Sequence, residues 1–266
     1  MTCVANIDRI LEIMSRLRDP EGGCPWDLEQ SFETIVPHTI EEAYEVADCI
    51  ERGSLAELPG ELGDLLFQVV FYAQLGREQK LFNFEEILHA LETKLTSRHP
   101  HVFANDSVSS ADEQARRWEE TKAAERAASS DLQPHSELNG VPRGLPALTR
   151  ARKLQQRASR VGFDWPNITG VRDKVVEELE EVDAAIAEGS NEHIAEEMGD
   201  LLFACVNWAR HLGVEPESAL RAASRKFSHR FRFVENALRD ADIDIGSASL
   251  ETMDELWSEA KRLERN

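Results

Sequence analysis

Apolar residues recur at three- and four-residue spacing along most of the chain, the period of an amphipathic helix. The pattern predicts helices over Ile7–Leu17, Ile40–Ile50, Leu62–Leu75, Ile87–Leu95, Val171–Ile186, Ile194–Leu212, Ala219–Leu238 and Leu250–Leu263. Strand-like alternation bounded by turn residues is scarce, so the expected fold is all-α. The clearest break is 127–146, AASSDLQPHSELNGVPRGLP, whose Ser, Pro, Gly and Asn content reads as a linker. It separates a helical domain at 1–126 from another at 147–266. Asn105–Asp112 and His99-Pro100-His101 read as loops inside the first half.

The two halves repeat one another. At an offset of 136 residues, Glu41-Glu42-Ala43-Tyr44-Glu45 falls on Glu177-Glu178-Leu179-Glu180-Glu181. At the same offset Glu61-Leu62-Gly63-Asp64 falls on Glu197-Met198-Gly199-Asp200. With small insertions, Lys94 and Arg98 fall on Lys226 and Arg230, Trp118 and Lys122 on Trp257 and Lys261, and Trp26 on Trp165. Landmarks kept in one order mark a tandem duplication of a helical unit.

Each copy carries Glu-x-x-Glu on one helix and Glu-x-x-Asp on the next: Glu42, Glu45, Glu61 and Asp64, then Glu178, Glu181, Glu197 and Asp200. A spacing of three puts both side chains on one helix face. The connections, Glu51–Glu57 and Glu188–Asn191, are short enough to force antiparallel packing, which lets the acidic faces converge. Four carboxylates in one place repel unless a cation neutralises them, and hard oxygen ligands suit Mg2+, with Mn2+ as a substitute. A di-iron bundle wants Glu-x-x-His from two helices; the chain offers only Glu86 and His89, outside the cluster. Gly63 and Gly199 fall mid-helix, where Gly costs about 1 kcal/mol relative to Ala, and suggest that a ligand or another backbone comes close. Thr39-x-x-Glu42 also fits a capping box, which would divert Glu42 to a helix start in the first copy.

Lys226 and Arg230 share a helix face, as do Trp257 and Lys261. Beside a metal cluster, a Lys and an Arg suit phosphate oxygens, and a Trp suits either a base or helix packing. The pattern therefore points to a nucleotide. No Walker loop, dinucleotide fingerprint or Ser-His-Asp arrangement is present.

Charge narrows the partners. Lys plus Arg number 30 against 50 Asp plus Glu, a formal charge of −20, which argues against a nucleic-acid polymer. No apolar run approaches the roughly 18 residues of a membrane helix, and the MTCVANIDRI start does not resemble a signal peptide. Cys3, Cys24, Cys49 and Cys205 are scattered as cytosolic reduced thiols would be.

The chain resembles the MazG nucleoside triphosphate pyrophosphohydrolases in their two-domain bacterial form. The match lies in the doubled Glu-Glu-x-x-Glu and Glu-x-x-Asp, in GCPWD at Gly23–Asp27, RHPHVF at Arg98–Phe103 and VGFDW at Val161–Trp165. The resemblance implies an all-α fold of the dimeric dUTPase type, homodimerisation, Mg2+ dependence, and hydrolysis of NTPs and dNTPs to monophosphate and pyrophosphate. It makes Glu178, Glu181, Glu197 and Asp200 metal ligands, Lys226 and Arg230 triphosphate contacts, and Trp257 and Lys261 part of the nucleotide site. Lys174, one turn before Glu178, joins the substrate contacts. Glu177 and Glu196 are both candidates to orient the water. At the offset of 136, Lys174 corresponds to His38 and Glu196 to Gly60. The second copy is thus expected to be the main catalytic one, and the first weaker, structural or regulatory. The competing function is a nucleotide-sensing or partner-binding helical dimer without chemistry.

Overall fold

The computed structural model describes residues 6–104, 110, 113, 114, 117, 118, 121 and 136–264. The contacts divide the chain into two units, Met1–Ala124 and Glu125–Asn266. The described residues are helical with no strand, and no helix among them is long and apolar enough to cross a membrane.

The first unit holds α1 (Ile7–Leu17), α2 (Pro25–Glu29), α3 (Phe32–Arg52), α4 (Leu58–Glu78), α5 (Phe84–Arg98) and α6 (Pro100–Phe103). The second holds α7 (Ala147–Arg160), α8 (Ile168–Glu188), α9 (Asn191–His211), α10 (Pro216–Asp240) and α11 (Leu250–Leu263), with a 3-10 turn at Ile245–Ser247. Periodicity gave α1 and α11 to the residue. It placed the start of α3 too late. The helix begins at Phe32, where the Ser31 side chain accepts from the Thr34 backbone N–H while the Thr34 hydroxyl accepts from Ser31 N–H. That reciprocal cap displaces the expected one at Thr39. Thr39 lies inside α3, where its hydroxyl bonds Ile35 O at 3.1 Å and the Tyr72 hydroxyl at 2.8 Å. Glu42 is therefore free of capping duty.

One more expectation gives way. His99-Pro100-His101 is not a loop throughout, because Pro100 opens the single turn of α6. Within the expected linker, Val141 is buried, and Arg157 of α7 donates to the carbonyls of Asn139 and Gly140. Most of Asn105–Asp112 lies outside the described residues.

The central hairpins, α3–α4 and α8–α9, make the largest helix pairings of their units. Gly53 ends α3 at φ +74° and Gly189 ends α8 at φ +77°. Both occupy the left-handed C-terminal position that glycine alone fills cheaply, and they are 136 residues apart. Met14, Ile35, Val70, Phe71 and Leu75 form the core of the first unit. Beside it, the buried Arg18 clamps Glu78 through Nε at 2.9 Å and Nη2 at 2.7 Å and donates to the carbonyls of Asp27 and Gln30. The second unit buries Val171, Val182, Ala185, Val206, Val234 and Leu238.

Candidate metal and nucleotide site

The antiparallel α8–α9 hairpin brings one carboxylate oxygen each of Glu178, Glu197 and Asp200 within 4.8 Å of one another. In the first unit Glu42, Glu45 and Glu61 converge within the same limit. The fourth acid of each expected quartet stands beside its cluster, and it is a different one in each copy. Asp64 is close enough to Glu42 to help raise its pKa, after desolvation and Glu45. Glu181 is pushed above the usual carboxylate range by desolvation and the like charges of Glu178 and Glu197, against the pull of Lys174.

Glu178 is buried, which a lone carboxylate resists. Lys174 answers it: Nζ lies 2.9 Å from Glu177 Oε1 and 2.7 Å from Glu178 Oε1. Those two partners hold the ammonium's pKa well above its ordinary value. His193 is a second cation that sequence reasoning missed. Its ring nitrogens lie 3.0 Å from Glu188 Oε2 and 2.9 Å from Glu197 Oε1, and these carboxylates, Glu188 foremost, favour the imidazolium. The available signal was its place four residues before Glu197 on one helix face. Glu57 stands at that position in the first copy and pairs with Arg52. His38, the counterpart of Lys174, leans instead towards Glu41 at 3.6 Å and packs on Trp26.

Glu196 lies exposed on α9, and Glu177 holds Lys174. Gly63 and Gly199 are mid-helix, but a Cβ added to either would meet nothing within 4 Å. The close backbone approach suggested by their placement is absent among the described residues.

The basic and aromatic residues of α10 and α11 form a group of their own. Arg230 pairs with Glu264 at 2.6 Å, depressing that carboxyl, and its guanidinium stands 5.7 Å from the Trp257 ring centre. Trp257 packs 5.2 Å from Phe227. Lys226 adds a weaker pull on Glu264, and Lys261 is half-buried on α11. The Arg230 ion pair runs to Glu264, not to the α8–α9 carboxylates. The first unit repeats the Arg-over-Trp contact, with Arg98 5.2 Å from Trp118. Lys94 is exposed on α5, and Lys122 lies outside the described residues.

VGFDW has a structural reason as well. Asp164 accepts from Arg210 at 2.6 Å and from His211 at 2.9 Å, tying the α7–α8 loop to the end of α9. Burial works against ionisation of Asp164, yet these donors hold its carboxyl below the usual range. A cavity of about 320 Å³ opens between that loop and the carboxylates, with Lys174, Glu178 and Asp200 in its lining. No sequence motif had pointed to it.

A family model described as the MazG nucleotide pyrophosphohydrolase domain matches residues 30–103 and 168–234, which contain the two acidic hairpins. The nucleoside triphosphate pyrophosphohydrolase of Escherichia coli is 52% identical over 260 residues, spanning 97% of this chain and 98% of that protein. A Thermotoga maritima protein named nucleoside triphosphate pyrophosphohydrolase/pyrophosphatase MazG is 40% identical, over 96% of this chain and 95% of its own. The uncharacterized YabN of Bacillus subtilis is 39% identical over 95% of this chain and 51% of its own length.

Proposed function

The chain belongs to the MazG nucleotide pyrophosphohydrolase family, and on that premise we propose that it hydrolyses NTPs and dNTPs to monophosphate and pyrophosphate at the α8–α9 carboxylates. The observation that carries this reading is the convergence of Glu178, Glu197 and Asp200 beside Lys174. The donor set fits a hard divalent cation: all ligand atoms are carboxylate oxygens, and their mutual repulsion now draws in Lys174 and His193 as internal counter-charges. Glu178, Glu197 and Asp200, with Glu181 alongside, would hold Mg2+, for which Mn2+ can substitute. Bound divalent ions supply charge to phosphoryl oxygens and lower the pKa of a coordinated water.

The chain's own groups do the rest. Lys174 exchanges a carboxylate partner for a phosphate oxygen when substrate arrives, and Lys226 and Arg230 serve the triphosphate. Trp257 and Lys261 complete that basic end of the site. Glu177 and Glu196 are the two candidates to orient the attacking water. Offsetting charge on the phosphoryl oxygens is the main catalytic contribution in such chemistry.

The units divide the work as domains 1–126 and 147–266 joined by 127–146. Glu42, Glu45 and Glu61 form the weaker cradle, since His38 and Gly60 replace a cation and a carboxylate. A homodimer is the working state. Support comes from Ile40, Ile50, Leu62 and Leu66 and their repeat counterparts Val176, Ile186, Met198 and Leu202, all eight of which are exposed on the acidic hairpins. The setting is the cytoplasmic nucleotide pool.

Pyrophosphate release from a dNTP panel with Mg2+ tests the reading. Wild type should turn over, Glu178→Gln in the full chain should not, and Glu42→Gln should keep most activity. Nucleotide binding without any pyrophosphate would instead identify a sensing dimer.

A further inference from the structure

The first unit has a cavity of its own, about 320 Å³, between α1, the end of α4 and the start of α5. Its lining shares no residue with the acids Glu42, Glu45 and Glu61. Leu11, Met14, Val70, Ala73 and Phe84 make its apolar floor, which is the edge of the unit's core. Gln74, Arg77, Asn83 and Glu85 complete the lining.

These four polar side chains keep capacity that the protein does not use. Gln74 is only 9% exposed, and its Nε2 donates to Glu78 Oε1 at 2.6 Å. A carboxylate only accepts, so the amide is set with Oε1 as its free end. That oxygen retains accessible surface, and among the described residues no donor reaches it. Asn83 accepts Glu86 N–H on Oδ1 at 3.0 Å, which leaves Nδ2 as a donor. Arg77 donates through Nη2 to Ser15 Oγ at 2.9 Å, which steadies the guanidinium and leaves its other N–H groups. Among the described residues neither Arg77 nor Glu85 has an ion-pair partner. A cation and an anion that line one cavity without pairing can face the two ends of a zwitterion.

The duplicated unit lacks this set. At the offset of 136, Gln74 corresponds to Arg210 and Arg77 to Gly213. Arg210 is held by Asp164 and Asn207, and Gly213 offers no side chain.

We propose that this cavity binds a free α-amino acid with an apolar side chain. The carboxylate accepts from Arg77 and Asn83 Nδ2, and the ammonium donates to Glu85 and Gln74 Oε1. The side chain covers Met14, Val70 and Phe84. The volume stands at the low end of small-ligand sites, about 300–1,000 Å³, as a ligand of this size requires. Both charges are needed, because a ligand lacking one leaves its protein partner desolvated and unpaired. The site is independent of the pyrophosphohydrolase reading.

The test is calorimetry on the full chain with L-leucine, in the absence of nucleotide and divalent metal. L-Leucine should bind saturably with Kd below about 1 mM. 3-Methylbutylamine lacks the carboxylate, 4-methylpentanoate lacks the ammonium, and glycine lacks the apolar side chain; each should bind at least about tenfold more weakly. Arg77 and Glu85 are exposed, so Arg77→Met and Glu85→Gln should melt as wild type does. Each should weaken L-leucine at least about tenfold. Arg77→Met should also lose the preference over 3-methylbutylamine, and Glu85→Gln the preference over 4-methylpentanoate, a pattern that general loosening of the unit would not produce. If Arg77→Met melts early through loss of the Ser15 bond, Glu85→Gln decides alone. No saturable L-leucine binding within that limit, equal binding of the amine or the acid alone, or smaller changes in the folded variants would each overturn the site.

Discussion

Asp200→Asn should make the metal-free protein more stable and the enzyme inactive. Asp200 offers an oxygen within 4.8 Å of oxygens from Glu178 and Glu197. Two like charges at that distance repel by about 0.9 kcal/mol in a water-like dielectric and about 3.5 kcal/mol at an effective dielectric of 20. Asp200 is exposed, so the lower figure applies to each of its two pairs. Lys174 and His193 already offset part of the charge on Glu178 and Glu197, which leaves a net gain of about 1 kcal/mol. For a unit of this size that is about 3 °C in Tm. The assay is a thermal melt in chelator at low salt, repeated at about 0.5 M NaCl, where screening should shrink the gain. Added Mg2+ should reverse the order, raising wild type above the variant, and turnover with dNTPs should fall at least a hundredfold. A variant that melts below wild type in chelator, or a difference indifferent to salt, would refute a cluster under mutual repulsion.

Arg18→Met in the first unit should lose about 3 kcal/mol, since it strands Glu78 and two backbone carbonyls around a buried position; a loss under about 1 kcal/mol in urea titration would contradict the clamp. Asp164 has a depressed carboxyl pKa, so its contribution is present above the unfolded value near 4 and is lost as pH falls through the folded one. Asp164→Asn should therefore be less stable at neutral pH and flatter on the acid limb; parallel stability–pH curves would exclude this linkage. Gly170→Ala would set a Cβ 2.5 Å from Trp165 Cδ1. It should push that ring out of the cavity wall, cost about 1–3 kcal/mol and weaken nucleotide binding, as read by calorimetry; wild-type affinity would show that Trp165 does not shape the pocket.

The acidic site was legible because its logic is local. Spacings of three on each hairpin helix, and one offset shared by both hairpins, put Glu178, Glu197 and Asp200 on facing surfaces before any coordinates were needed. The α7 helix was not, because Arg150, Arg152, Lys153, Arg157 and Arg160 dilute the apolar stripe that periodicity detects. The start of α3 was missed because Ser31 and Thr34 cap each other far upstream of the strongest apolar period. His193 carries no repeat signature, because the residue at its matching position in the first copy is Glu57. The cavity depends on α7, the Phe163–Trp165 loop and α9 meeting in space, and none of those segments announces it alone. Even the exchange of Asn207 for Phe71 at the offset of 136 reads as an ordinary difference until one is found at the edge of a void and the other in a core.

The left-handed glycines at 53 and 189 have one more consequence. They turn each hairpin by backbone geometry, so the opposed acids are held in register by the chain itself. An ion arriving there is a guest in furnished lodgings, unlike a structural zinc whose domain collapses without it. Chelation should accordingly silence the protein while leaving its far-ultraviolet dichroism intact.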